Sequence, residues 1–549
     1  MVSFFCPARG LGSVTQGLTT TFHCLARTEN EAAVRVLLVA LDSPYAGIRE
    51  AALRAILRRR SPAGHREVLR RLDTMDERWK QIVGETPERL LPAMREAMAT
   101  GDARLCATAC RAAVSYRQYD CLPALINALE NPVWPGSDLA GRTLAELIDA
   151  LCGELAALPH GPARHDPQTT RQRALDCLES SIRRYVKHRR REIVEAFLRL
   201  AERDSATLRQ ILDDPHHSAF VAVVDVLSKS EQASVIWLLL SFLDDPRAPS
   251  AALAVISKRS DARFVQALLH KAGRELSDAA AQNLRRIGSL AWLKAGGDWL
   301  GQLDAKSQEA VVRLVMAVGV SKAQSFGTIR QVLLGGTPGG RRAAAAALEA
   351  FAGAEANELA LRALGDPDPE VQAHVVRQLR RRGIPGALLR LVEMLDSPHA
   401  VVRDAARQSL DEFSFRRFLA AFDLLDNEVR RSTAALVRKV DPQTIPRLKA
   451  EMESKMARRR LRGLAMADAM DVLEDLEEAI VGLLGDEDHL VRAEAASVLG
   501  RCRSPSACEA LFTALEDRSP TVQEAARRSL AAQESLLGGP ESLPNPEGA

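Results

Sequence analysis

The densest group of residues able to do chemistry is Arg183, Arg184, Lys187, Arg189, Arg190 and Arg191. Read as one helix, positions 183, 187, 190 and 191 share a face. Arg183, Arg184, Lys187, Arg190 and Arg191 then form a candidate site for the phosphates or carboxylates of an anionic partner. Only Tyr185 and Phe197 lie nearby, so the stacking platform of a nucleic-acid site is missing. The simpler reading is a solvated face paired with neighbouring helices. A second candidate is Gly335-Gly-Thr-Pro-Gly-Gly340, followed by Arg341-Arg342 and an alanine run. Gly339, Gly340 and Arg341 could meet an anion at a helix N-terminus. The stretch is not a P-loop, because no strand precedes it and no Gly-Lys-Ser/Thr follows.

Other reactive residue types resolve into structural roles. Cys106 and Cys110 are four apart and share a helix face, with Cys121 in the next helix. Two thiolates can begin a zinc site, but a third and fourth ligand are not evident, and cysteine packs well between helices. His216-His217 follow Asp213-Asp214-Pro215 and would point apart on a helix. Asp486-Glu487-Asp488-His489 lacks the Gly and Glu spacing of a calcium loop and reads as an acidic helix cap. There is no Gly-x-Ser-x-Gly elbow and no kinase motif set. The expectation is therefore no catalytic residue, no metal and no cofactor.

The elements carrying these residues are helices of one recurring design. Leu391–Phe413 reads as a helix, a turn at Asp396-Ser397-Pro398, and a second helix with Val402, Ala405, Ala406, Ser409, Leu410 and Phe413 on one face. Similar units begin near Leu41, Leu364, Leu484 and Asp517. A shorter copy starts at Leu425, and weaker ones start at Asp213 and Asp244. The turns recur at roughly 30-residue spacing, or twice that, which is a supersecondary period. Asp or Ser caps the second helix, Pro opens it, and paired alanines allow close helix approach. One such hairpin buries too little to fold alone, so the units must stack.

The Asp-Pro turn, the Val-Arg pair and the Ala-Ala step resemble HEAT repeats, in particular the short form named after phycobilisome lyases. The resemblance is clear at 31–60 and 340–533 and blurred between. Gln372 and Gln523 stand where Arg is usual, which argues against a continuous Asp–Arg ladder. The resemblance implies an all-α fold, an α-solenoid (α-α superhelix, right-handed) of stacked HEAT-type hairpins. It further implies a non-catalytic scaffold that binds a protein partner on its curved surface. Its alternatives are a bilin-lyase-like chaperone and a HEAT-like nucleic-acid-binding protein. HEAT-like dioxygen enzymes such as deoxyhypusine hydroxylase hold iron with His-Glu dipeptides, and no histidine here is followed by Glu.

Composition agrees with this reading. Lys and Arg number 74 against 71 Asp and Glu, too balanced for a dedicated polyanion binder, so nucleic acid is disfavoured. Nine cysteines without framework spacing suit a reducing, cytoplasmic setting. Arg over Lys and abundant Ala suggest a bacterial source. MVSFFCPARGLGSV is a poor signal peptide, and the apolar run at 237–243 is too short to span a bilayer.

The chain divides in expectation as follows. Residues 1–28 are a loosely ordered leader, and 29–205 are helical repeats, irregular from about 63. Weak repeats occupy 206–335, regular ones 336–533, and a disordered tail 534–549. Long helices are expected at 76–99, 168–188 and 190–203, and again between 444 and 484. Extended loops are expected at 131–136 and 158–167, a helix end at Gly296-Gly297, and a flexible joint at 335–340.

Overall fold

The computed structural model describes residues 16–537, apart from 101, 132–133, 135, 158–164, 275 and 295–298. The Gly296-Gly297 helix end, residues 1–15, residues 538–549 and most of the two expected loops lie outside the described residues. Those described form α-helices and short 3-10 turns, with no strand among them. Thirteen of the helices carry the argument below and are labelled in chain order. They are α1 (Gln16–Arg27), α2 (Glu77–Glu85), α3 (Ala103–Ser115), α4 (Leu122–Glu130), α5 (Ser137–Ala156) and α6 (Pro167–Ile182). Then come α7 (Pro338–Ala347), α8 (Pro369–Leu379), α9 (Ala400–Ser409), α10 (Asn427–Val440), α11 (Ala457–Ala469), α12 (His489–Leu499) and α13 (Pro520–Leu537).

Capping residues set where helices start. Asp102, Asp166, Asp368 and Asp488 accept N–H groups of the first turn that have no partner inside the helix. Ser61 caps the helix that Pro62 opens, as its sequence suggests. Buried alanines then let helices approach. Ala405, Ala406, Ala495 and Ala496 are fully buried, and α8 packs on α9 as α12 packs on α13.

The chain separates into two compact units, up to Ser325 and from Phe326. Each is an array of stacked helical hairpins with an elongated apolar core. In the first unit one core runs from Leu37 to Val318. In the second, a core runs from Phe415 to Ala526. No helix among the described residues is long and apolar enough to cross a membrane.

Successive hairpins are tied by buried polar side chains as well as by apolar packing. Arg59 donates to the carbonyls of Leu25 and Thr28, both at 2.6 Å. Arg259 donates to those of Leu227 (2.7 Å) and Ser230 (2.6 Å), and Arg382 to those of Leu348 (2.5 Å) and Phe351 (3.0 Å). Each guanidinium satisfies the carbonyls left open at the end of a helix one hairpin earlier, where the helix dipole is negative.

Several expectations are corrected. Residues 16–27, read as part of the leader, are helical because Phe22, Leu25 and Ala26 recur at helical spacing and pack on the core. The last helix continues to Leu537, so 534–537 are helical too. The expected helix 76–99 breaks at Thr86-Pro87, since proline removes a donor and constrains the residue before it. The expected 168–188 ends at Ile182, with a separate turn at Tyr185–His188, and the next helix spans Arg191–Leu200. Between 444 and 484 the helices are short, Thr444–Met452 and α11 being an ordinary hairpin.

Candidate functional site

The sequence-derived candidates are dispersed among structural partners. The face proposed for Arg183, Lys187, Arg190 and Arg191 does not form, because α6 ends at Ile182 and Arg189 turns the chain in a left-handed conformation (φ 51°). Arg184 pairs with Glu130 at 2.6 Å, Arg191 with Asp225 at 2.9 Å, and Arg183 with Glu179 at 4.0 Å. Arg190 donates to the Leu129 carbonyl at 2.9 Å, and Lys187 is exposed without an ion pair among the described residues.

The 335–340 stretch is a helix junction. Gly335 closes one helix, Thr337 caps the next through the Gly340 N–H (3.3 Å), and Gly339 and Gly340 lie in the first turn of α7. Arg341 is engaged by Asp366 (2.9 and 3.1 Å) and by the Gly336 carbonyl (2.9 Å). Protein groups thus occupy the Gly340 N–H and the Arg341 guanidinium, two of the donors that an anion would need.

Cys106 and Cys110 lie on the buried face of α3 with Sγ atoms 3.9 Å apart. Among the described residues, no three His, Cys, Asp or Glu side chains are arranged to hold a metal ion. His216 and His217 sit in a turn rather than on a helix, with the His216 N–H held by Asp214 at 2.9 Å. Asp488 caps α12, as its sequence suggests.

The structure instead assembles a site from residues that no motif marks. Between the ends of α3, α4, α5 and α6 lies a groove of about 1510 Å³. At Gly84 and Tyr116 it meets a shallower depression of about 400 Å³ along α2. Tyr116 donates to the Lys80 carbonyl at 3.1 Å, and a Cβ at Gly84 would come within 3.3 Å of its ring. Glycine there lets the tyrosine lie close against α2.

Glu154, near the end of α5, organises the groove wall. Its Oε1 accepts hydrogen bonds from Tyr119 Oη (2.8 Å) and Arg117 Nη1 (2.6 Å), and its Oε2 lies 2.9 Å from His165 Nε2. The Tyr119 and His165 rings meet edge to face at 5.0 Å. Burial favours the neutral acid, but the bonds from His165, Tyr119 and Arg117 outweigh it and hold Glu154 below the usual carboxylate range. Burial, reinforced by the Glu154 bond, pushes the Tyr119 hydroxyl up. Both carboxylate oxygens accept from protein donors, so Glu154 draws Arg117, Tyr119 and His165 together at the groove wall.

Arg117 adopts a left-handed conformation (φ 50°) just past the end of α3, a position where glycine is the usual cap. The arginine accepts that cost, on the order of 1 kcal/mol, and its guanidinium reaches Glu154. The separation of residues 117, 119, 154 and 165 in sequence hid this cluster.

Comparison with known proteins finds a family match over part of the chain. Residues 329–411 and 442–531 match a family described as HEAT repeats. No curated protein matches the sequence. Among solved structures, human deoxyhypusine hydroxylase in complex with glycerol is similar at 17% identity and TM-score 0.17, covering 55% of this chain and 96% of that one. Kap121p is similar at 15% identity and TM-score 0.25, covering 95% of this chain, which spans about half (54%) of Kap121p. An engineered protein is similar at 14% identity and TM-score 0.17, covering 91% of this chain and 98% of its own.

Proposed function

We propose, from the premise that residues 329–411 and 442–531 are HEAT repeats, that this chain is a non-catalytic scaffold that grips an extended segment of a protein partner. The observation carrying this reading is the groove across α2–α6. It runs past the ends of consecutive hairpins and offers polar and apolar walls in similar measure. Tyr116, Pro123 and Leu155 supply contact area, and Gln168 and Thr170 supply hydrogen-bonding groups. Such a mixture suits a polypeptide, whose backbone needs partners along its length.

The test is photo-crosslinking from a benzoylphenylalanine at Thr170, followed by reconstitution of the captured protein with the purified full chain. Replacing Thr170 by Trp fills the groove and is expected to weaken the reconstituted complex at least tenfold while leaving thermal stability unchanged. A complex of unaltered affinity would remove the groove from the binding reaction.

A further inference from the structure

We infer that the segment held in the α2–α6 groove is basic, its Lys and Arg side chains meeting carboxylates and helix ends along the walls. The inference rests on the scaffold reading and gives its partner a chemistry.

The first argument is the charge left over after internal pairing. Six carboxylates line the two joined depressions against four Lys and Arg side chains. Three of those cations are already engaged. Lys80 pairs with Glu77 at 2.8 Å, Arg117 with Glu154 at 2.6 Å, and Arg95 donates to the Asp120 carbonyl at 2.6 Å. Glu88, Asp120 and Asp176 are exposed and make no ion pair among the described residues, against Arg173 and Arg95 on the basic side, since the carbonyl that holds Arg95 does not cancel its charge. With Glu85 paired to Arg54, the surplus is one acidic charge, in a molecule whose net formal charge is +3.

The second argument is independent of side-chain charge. The C-terminal ends of α2, α3 and α5 all line the groove, through Gly84 and Glu85, Ser115 and Tyr116, and Glu154 and Leu155. Each brings the negative end of a helix dipole to the groove. Two helices present N-terminal ends, and that of α6 is covered by Asp166, which accepts the Gln168 and Thr169 N–H groups. The groove already draws in cations of its own. Arg95 settles on a carbonyl, and Arg117 settles on Glu154 beside His165. A basic segment extends that pattern, with its aliphatic stems lying along Tyr116, Pro123 and Leu155.

The test uses the full chain and a fluorescein-labelled peptide of alternating Lys and Ala, followed by anisotropy, with a Glu–Ala peptide as counterpart. The triple variant Glu88→Lys, Asp120→Lys, Asp176→Lys is expected to weaken Lys–Ala binding at least about tenfold. The charge-matched variant Glu355→Lys, Glu358→Lys, Asp475→Lys, in the second unit, should change it less than twofold. In the unaltered chain, a photo-crosslinker at Thr170 should capture the Lys–Ala peptide and one at Thr513 should not, a readout that does not depend on the variants folding. Equal loss in both triple variants, failure to bind, or equal binding of the Glu–Ala peptide overturns the inference. A captured protein partner whose cross-linked segment lacks Lys and Arg also overturns it, while the scaffold reading stands.

Discussion

Within the second unit, the junctions around α11–α13 and those around α8–α10 use the same motif to different effect. In each hairpin a long polar side chain near the start of the second helix reaches back to its own turn. Gln372, Arg403, Arg460, Arg492 and Gln523 bind the carbonyls of Asp366, Ser397, Ser454, Asp486 and Asp517, at 2.7 to 2.9 Å. Where that side chain is Arg and the next turn offers Asp, the guanidinium also spans the junction. Arg460 reaches Asp486 at 2.7 Å and Arg492 reaches Asp517 at 2.8 Å, as Arg341 reaches Asp366.

Three consecutive junctions lack that second contact. By position in the repeat, the Asp of the next turn is replaced by Ser397 after Gln372, by Leu424 after Arg403 and by Ser454 after Arg430. The doubt raised by Gln372 and Gln523 about a continuous ladder is thus answered. The ladder is linked at its two ends and open in the middle. The same middle contains residues 412–441, which the HEAT family match passes over, and α9 does not pack on α10 as α8 packs on α9. The comparison teaches that the backbone motif needs only the contact within the hairpin. A turn-to-turn ion pair between hairpins forms where an Arg and an Asp stand about 25 residues apart.

The largest effect that would break this comparison comes from Arg492, whose side chain is almost wholly buried between two turns. Arg492→Met should destabilise the second unit by about 3 kcal/mol, because Asp517 and the Asp486 carbonyl lose their donor. Arg403→Met, at an open junction, should cost less than about 1 kcal/mol. Denaturant unfolding of both variants measures the difference, and equal costs would mean that the junction contact contributes nothing.

Acid should act in the same direction with a smaller effect. The Arg492 guanidinium holds Asp517 below the usual carboxylate range, and that of Arg459 does the same for Glu451. A carboxylate depressed in the folded state contributes stability that is complete above its unfolded pKa, about 4, and is lost as pH falls through the lower folded value. Between about pH 6 and pH 3, hydrogen-exchange protection should therefore fall further in α11–α13 than in α9 and α10. A uniform decline would show that these pairs do not distinguish the two regions.

The smallest effect sharpens the comparison by repair. Leu424 is 87% exposed at the position that Asp occupies in linked turns. Leu424→Asp should give Arg403 an acceptor and raise stability by about 0.5 kcal/mol, with slower exchange in α9 and α10. An unchanged exchange pattern would mean that geometry, and not the missing carboxylate, keeps that junction open.

The repeat was legible because its signals are local. Asp368, Ser397-Pro398 and the Val402–Ala405–Ala406 face each act within a few residues of themselves, so spacing alone reveals them. The leader was misjudged at 16–27 because Gly and Thr content outweighed the spacing of Phe22, Leu25 and Ala26. The Arg183–Arg191 run was misjudged because a helix face was assumed across residues where the chain turns. The Glu154 site gave no sign, since each of its members is unremarkable beside its own neighbours.

By itself the sequence determined that the chain is helical, that its helices pair into hairpins and that the hairpins must stack. Capping, periodicity and small residues act over one or two turns of chain, and a lone hairpin buries too little apolar surface to persist. Only the tertiary structure decided which junctions are tied and where a groove opens. Stacking turns a separation of some 35 residues into adjacency, bringing Arg117 and Tyr119 to Glu154. The offset between hairpins, which no local pattern encodes, settles which side chains meet.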